Sequence, residues 1–383
     1  MFIKSIKIDG LLSFAPGSPP IELRPLNVII GPNGAGKSNL ITVMETLRDM
    51  IDYDHDNGPI DGLDLDGEFV WVWNHDLLNG IRRGSVELHT FATERMGSLR
   101  YAVEFVDGRD NFSETIENGA ERVFWMEDDT ACVSVAGSDG TRRVSAYENW
   151  HCPMSVLAQL RDPLVHPEIT QLSSEMLSIR LFRDWNFGGS APVRRRVSRN
   201  ASGKILWEDA RNLANVLRLM DGQQRERLNR CMHSLMPRYD SCETRDIGDG
   251  VEILLREKGQ NRSIGARNMS EGTLRVIALN AALFGGPPPS LLCIEEPELG
   301  LHPDAHSIVG ELLIEASRRT QVIVTTHSDA LLSSLNQHVD SVLVCEYDNG
   351  TRLRRLERAK LQHWLKKYAL GDIWRMGEIG GNP

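Results

Sequence analysis

Alternation of apolar and polar positions from Phe2 to Asp9 predicts a strand, and Leu26 to Ile30, mostly apolar, reads as a second. Between Ser38 and about Met50 the spacing turns helical. From Ser85 to Tyr147 it returns to short alternating segments, "SVELHTF", "RYAVEFV", "RVFWME", "ACVSVAG" and "RRVSAYE", separated by turn signals such as "DGRDN" and "GSDGT". That spacing predicts an antiparallel sheet. Between Ser155 and His233 the period is helical again, in "SVLAQLRDP", "SSEMLSIRLFRDW" and "EDARNLANVLRLM", interrupted by the basic run "VRRRVSR" from Val193 to Arg199.

A strand in "GDGVEILLREKG" opens the last part of the chain. A helix from Thr273 to Phe284, a turn at "GGPPP" and a buried strand, "LLCI", come next. A helix from Ala305 to Ser317 then leads to the strand "QVIVTT". The segment "SVLVCEYDNGTRLRRLE" reads as a hairpin turned at Asp348, Asn349 and Gly350, followed by a short helix, "AKLQHWLKKY". No repeat or long heptad run intervenes. These shifts predict three regions: an N-terminal lobe with an antiparallel β subdomain (1–150), a helical insertion lobe (151–245) and a C-terminal lobe (246–383).

The formal net charge of −10 argues against a surface generally suited to nucleic acid, so any such binding needs a local basic face. No apolar run approaches the roughly 18 residues of a membrane span, and the strand-like start is not that of a signal peptide. Cys132, Cys152, Cys231, Cys242, Cys293 and Cys345 are scattered without a CxxC pair, which predicts buried single thiols in a reducing, cytoplasmic setting. The acidic stretch "DYDHDNGPIDGLDLDGE" begins like a calcium loop. Its register fails, with Asn57 at the turn and Leu63 at the last ligand position, so a solvated acidic loop is expected.

Two stretches carry most of the chemistry. "GPNGAGKS", Gly31 to Ser38, fulfils GxxxxGK[ST] between a predicted strand and a predicted helix. Backbone N–H groups from Asn33, Gly34, Ala35, Gly36, Lys37, Ser38 and Asn39 are the candidates to cradle phosphates at a helix N-terminus. Lys37 is expected to reach the β- and γ-phosphates, and Ser38 to ligate Mg2+. "SLLCIEEPELGLHP" is an apolar strand ending in two acids. Glu295 is expected to hold Mg2+ through water and Glu296 to polarise the attacking water.

A carboxylate directly after the strand-end acid resembles the ABC-type ATPases. Three further stretches follow in the order of that family. "NMSEGTLRV" resembles the ABC signature, with Ser270 and Gly272 at the mouth of a helix; the resemblance implies a cap on the γ-phosphate bound by the opposite protomer. "PELGLHP" corresponds to the D-loop. "VIVTTHS" puts His327 where the family's switch histidine contacts the γ-phosphate. "IEEPELGLHP" and "TTHS" together resemble the RecF/SMC-like, OLD-type branch, over the length of the chain. The resemblance implies an α/β ABC-type P-loop NTPase head, with a mixed central sheet, flanking helices, an antiparallel β subdomain and a helical insertion lobe. The chain departs from the pattern at "GLLSF", where Leu12 stands in place of a basic residue, and the Q-loop glutamine is assigned only to a candidate, Gln159, with Gln171 behind it.

The resemblance implies ATP and Mg2+ as cofactors, hydrolysis to ADP and phosphate, and an ATP-dependent homodimer or higher oligomer. A transporter subunit is disfavoured because no membrane-partner surface is readable. A nuclease is disfavoured because no DxD pair follows His327. Two readings of the working partner stand. In one, two heads grip DNA in repair or phage defence, using Arg194, Arg195, Arg196 and Arg199 to neutralise phosphates. In the other, the dimer regulates a separately encoded effector such as a nuclease or toxin.

Overall fold

The structure is a computed structural model that describes residues 2–51, 83–92, 97–106, 112–127, 130–136, 142–148, 150, 155–183 and 185–381. The acidic stretch from Asp52 and the thiol of Cys152 lie outside the described residues. Contacts divide the chain into two units, Met1–Ile179 with Leu343–Arg355, and Arg180–Val342 with Leu356–Asn382.

The first unit starts with β1 (Ile3–Asp9), whose alternation buries one face, then β2 (Ile21–Glu22) and β3 (Leu26–Ile30), buried at every residue. The phosphate-loop sequence leads into α1 (Lys37–Asp49). There follow β4 (Arg83–Thr90), β5 (Leu99–Val106), β6 (Phe112–Asn118), β7 (Glu121–Glu127), β8 (Thr130–Ala136) and β9 (Arg142–Tyr147). With β1 and β2 these form one antiparallel sheet in the order β2-β1-β4-β5-β6-β7-β8-β9. The expected antiparallel region is thus present, with one strand more than the alternation showed. β6 escaped notice because "FSETIEN" turns only Glu114 and Ile116 into the core.

Helices α2 (Val156–Gln159) and α3 (Pro167–Leu177) complete this part of the first unit. The segment expected to stay helical through "SSEMLSIRLFRDW" does not. Its helix stops at Leu177, and β10 (Arg180–Phe182) opens the second unit, pairing in parallel with Leu292–Ile294. Long-range pairing overrides the local period there. The rest of the 151–245 segment also mixes types: a 3₁₀ turn at Pro192–Arg194, β11 (Val197–Ser198), α4 (Leu213–Leu219), α5 (Gly222–Leu235) and β12 (Tyr239–Ile247). β12 pairs antiparallel with β13 (Gly250–Glu257), which carries β11 and the short β14 (Ile264–Gly265).

The core of the second unit is α6 (Glu271–Phe284), β15 (Leu291–Glu295), α7 (Pro303–Ala316), β16 (Gln321–Thr325) and α8 (Asp329–Ser334). β10, β15 and β16 lie side by side and parallel, and β15 and β16 are buried on both faces, hence the apolar runs Leu291–Ile294 and Val322–Val324. β17 (Val342–Tyr347) and β18 (Thr351–Arg355) form the expected hairpin in the first unit, where β17 neighbours β3. α9 (Arg358–Leu365) and α10 (Leu370–Arg375) end the second. Cys132, Cys231, Cys242, Cys293 and Cys345 are buried thiols. Among the described residues no helix is long and apolar enough to cross a membrane.

Candidate functional site

In the first unit the phosphate-loop sequence turns on glycines that tolerate no side chain. Gly36 has φ 97° and stops the loop as the N-cap of α1. A Cβ there would overlap the hydroxyls of Thr351 and Ser13, and one on Gly31 would run into the Cys345 carbonyl. Asn33 and Gly34 are exposed at the tip, and Ala35 is buried beneath it. The loop is held from below by residues distant in sequence. Thr351 Oγ1 and Cys345 Sγ both donate to the Ala35 carbonyl, at 2.7 and 3.3 Å. Ser13 Oγ meets Thr351 Oγ1 at 2.6 Å and accepts from Asn39 Nδ2 at 2.5 Å. Burial pushes the Cys345 thiol up to about 12, so it stays a neutral donor.

Lys37 is buried, and its Nζ donates to the carbonyls of Gly31 and Pro32 at 2.9 and 3.0 Å, closing the loop on itself. Ser38 follows it in the first turn of α1. Leu12, at the position where a basic residue was expected, has φ 53° in a tight turn bridged between Leu11 and Phe14. Gln159 is the last residue of α2. Its helix is anchored by a buried carboxyl that the sequence did not reveal. Glu114 accepts from Tyr101 and Ser155 hydroxyls at 2.5 and 2.6 Å and from the Val156 N–H at 2.7 Å. Burial raises the pKa of Glu114 and of Tyr101.

The second unit holds five of the expected residues, Glu295, Glu296, His327, Ser270 and Gly272. Glu295 ends β15, paired with Thr325 at the end of β16. Arg183, one residue past β10, donates from Nε to Glu295 Oε1 at 2.9 Å. Glu296 stands in the left-handed region at φ 44°, its N–H bonded to the Thr325 carbonyl at 3.0 Å. That conformation is uncommon for a residue with a side chain and costs about 1–3 kcal/mol, a strain that collects at functional sites. Glu296 Oε1 lies 3.8 Å from His327 Nε2. Ser270 caps α6, accepting from the Thr273 N–H at 3.0 Å. Gly272 lies close to the D-loop, where an added Cβ would meet Gly300 O at 3.5 Å. A cavity of about 470 Å³ opens at this turn, lined by Met232, Leu235, Ser270, Gly272, Leu301 and Ala305 among others.

The basic run behaves otherwise than its charge suggested. Arg194 is buried, and its guanidinium holds five backbone carbonyls, those of Phe187, Gly188, Ala266, Arg267 and Met269, at 2.7 to 3.2 Å. It braces the segment that delivers Ser270. Arg199 pairs with Asp246, and Arg195 and Arg196 are exposed.

A protein-family profile described as "AAA domain, putative AbiEii toxin, Type IV TA system" matches residues 26–131 and 169–333, more than half of the chain. The chain belongs to this AAA-domain family. Among curated relatives, the Old nuclease of Escherichia phage P2 is 38% identical over 78 residues, 20% of this chain and 13% of the nuclease. The glutathione/L-cysteine transport system ATP-binding/permease protein CydC of Escherichia coli (strain K12) is 33% identical over 114 residues, 29% of this chain and 18% of the transporter. The chain therefore spans well under a quarter of either relative's length. Two solved structures fit nearly the whole AAA-domain chain. The SMC head domain from Thermotoga maritima has TM-score 0.50 at 17% identity, covering 93% of this chain and 100% of that one. The Smc head of Pyrococcus furiosus bound to the C-terminal domain of ScpA has TM-score 0.55 at 14% identity, covering 96% and 99%. The fold is that of an SMC-type ABC head, and family and fold together place the chain with the RecF/SMC-like, OLD-type ABC ATPases.

Proposed function

We propose that this AAA-domain protein binds ATP with Mg2+, closes as a homodimer on two nucleotides and hydrolyses them. The observation that carries the reading is the end of the parallel strands, where a strained backbone turns Glu296 to within 3.8 Å of His327. In this reading the loop N–H groups from Asn33 to Asn39 surround the phosphates and Lys37 turns from loop carbonyls to the β- and γ-phosphates. Glu296 takes a proton from the attacking water, and His327 donates to the γ-phosphate as charge builds there. Ser38 and Glu295 are hard oxygen donors, the chemistry Mg2+ takes, and Mg2+ would neutralise the charge of the nucleotide's phosphates. Gln159, on its short helix, is proposed as the Q-loop residue.

Ser270, Gly272 and the first N–H groups of α6 supply an anion-binding helix end for the partner protomer's nucleotide. The test is hydrolysis by the purified protein with and without double-stranded DNA, using Glu296→Gln as the blank. A rate that vanishes in the variant supports the reading; an unchanged rate overturns it. Stimulation by DNA supports action on DNA in repair or phage defence. Control of a separate effector is the second reading, favoured by the burial of Arg194, which removes the first arginine of the run from any phosphate contact. A rate indifferent to DNA, with a second protein retained by the stalled dimer, supports it.

A further inference from the structure

The strand pairing that aligns β15 with β16 ends at Glu295 and Thr325, two residues short of His327. Something else must fix the histidine. The chain after Glu296 turns tightly, with Leu299 N–H bonded to the Glu296 carbonyl and Leu301 N–H to that of Glu298. The turn sends the Glu298 side chain back beneath the strand ends, where it is only 7% exposed. Its Oε1 accepts from the Thr326 hydroxyl at 2.5 Å and from the His327 N–H at 3.1 Å. Thr326 Oγ1 in turn accepts from the Ser328 N–H at 3.0 Å, and Ser328 Oγ caps α8 and meets His306 Nδ1 at 2.8 Å. The backbone on both sides of the His327 ring is thereby captured by side chains, and the chain of contacts begins at Glu298.

A carboxyl is an expensive choice for a plain structural clamp, because it buries two acceptor oxygens where one is used. Oε2 of Glu298 is buried and has no hydrogen-bond partner among the described residues. We propose that Glu298 is a positioning residue, which sets where His327 stands relative to Glu296. It touches neither nucleotide nor water itself. The inference rests on the reading of Glu296 and His327 as the hydrolytic pair, and it assigns to the D-loop a task inside its own protomer.

The test uses the full chain with Glu298→Ala, Glu298→Gln and Thr326→Val. The amide of the Gln variant keeps an acceptor oxygen for both donors, so it should rescue what Ala loses. Two readouts are taken. The first is kcat against the Kd for ATP: Ala should lower kcat by roughly tenfold to a hundredfold, as expected for a displacement of up to about an ångström, with Kd within about twofold. Gln should stay within about threefold of wild type, and Thr326→Val should fall between. The second readout needs no hydrolysis. The His327 ring resonance, assigned by its loss in His327→Asn, should move when Glu296→Gln is introduced, and this response should shrink in Glu298→Ala and persist in Glu298→Gln. A full response in the Ala variant overturns the proposal, as does a Gln variant that loses the response to the same extent as Ala. If Ala fails to fold, Gln and Thr326→Val decide by the same readouts. A wild type that hydrolyses no ATP refutes the ATPase reading alone, while the resonance still decides the placement.

Discussion

Replacing Arg194 by alanine separates two accounts of the basic run. If the run contacts DNA, the variant loses one phosphate contact and keeps its stability. The structure puts the guanidinium among five carbonyls, with contacts from two nitrogens, so the bonds are shared and count as about two. Charge-assisted bonds contribute about 1.5–3 kcal/mol each, giving about 3–6 kcal/mol for the pair. Freeing the arginine's rotamers returns up to about 2 kcal/mol. Desolvated carbonyls left without a donor cost about 1–3 kcal/mol, which offsets that gain. The net loss is about 3–5 kcal/mol. For a cooperative unit of this size each kcal/mol lowers Tm by about 2–4 °C, so the shift expected is roughly 6–20 °C. Arg195→Ala and Arg196→Ala, at exposed positions, should stay within about 0.5 kcal/mol. Urea and thermal unfolding of the three variants, followed by circular dichroism, make the comparison. An Arg194→Ala midpoint equal to that of Arg195→Ala, together with weakened DNA retention, would refute the buried role.

Three other outcomes are expected. Gly36→Ala must place a side chain at φ 97° against the Thr351 and Ser13 hydroxyls; it should cost about 1–3 kcal/mol in strain alone and abolish binding of a fluorescent ATP analogue, and retained binding contradicts the loop geometry. Arg183→Ala frees Glu295 from a competing cation, so titration of hydrolysis against Mg2+ should show half-saturation at lower concentration; a higher one speaks against competition. Arg100 beside Glu87, with desolvation opposing it and His89 adding to it, holds that carboxyl down at about 2, below its ordinary 4.5. A lowered folded-state pKa contributes stability present above 4.5 and lost as pH falls toward 2, so Glu87→Gln should flatten the thermal-stability profile across that window. An unchanged profile refutes the pairing.

The motifs were legible because each rides on a locally determined element. β3, β15 and β16 carry the apolar runs Val28–Ile30, Leu291–Ile294 and Val322–Val324, each ending at the predicted site residues, and Ser270 and Gly36 occupy helix-cap positions. What sequence reading missed depends on partners far along the chain. β10 was read as helix because its strand identity comes from pairing with Leu292–Ile294. Arg194 was read as surface charge because its carbonyl partners at Ala266, Arg267 and Met269 lie more than seventy residues on. Thr351 and Cys345, which hold Ala35 from below, are farther still. Glu298 sat in view within "EEPEL", but nothing local says that its side chain turns back to His327 rather than outward.

The central claim is that each hydrolytic site is completed by a second protomer. Complementation tests it most directly, by measuring ATP hydrolysis of Lys37→Ala, of Ser270→Arg, and of their equimolar mixture. Lys37→Ala should fail to hold its own nucleotide, and Ser270→Arg should bind ATP but be unable to complete a partner's site. The account predicts that neither variant hydrolyses alone and that the mixture regains activity, because a mixed dimer pairs the intact Lys37 loop of one chain with the intact Ser270 of the other. A mixture no more active than its components, or a Ser270→Arg protein that hydrolyses ATP at the wild-type rate by itself, would contradict it.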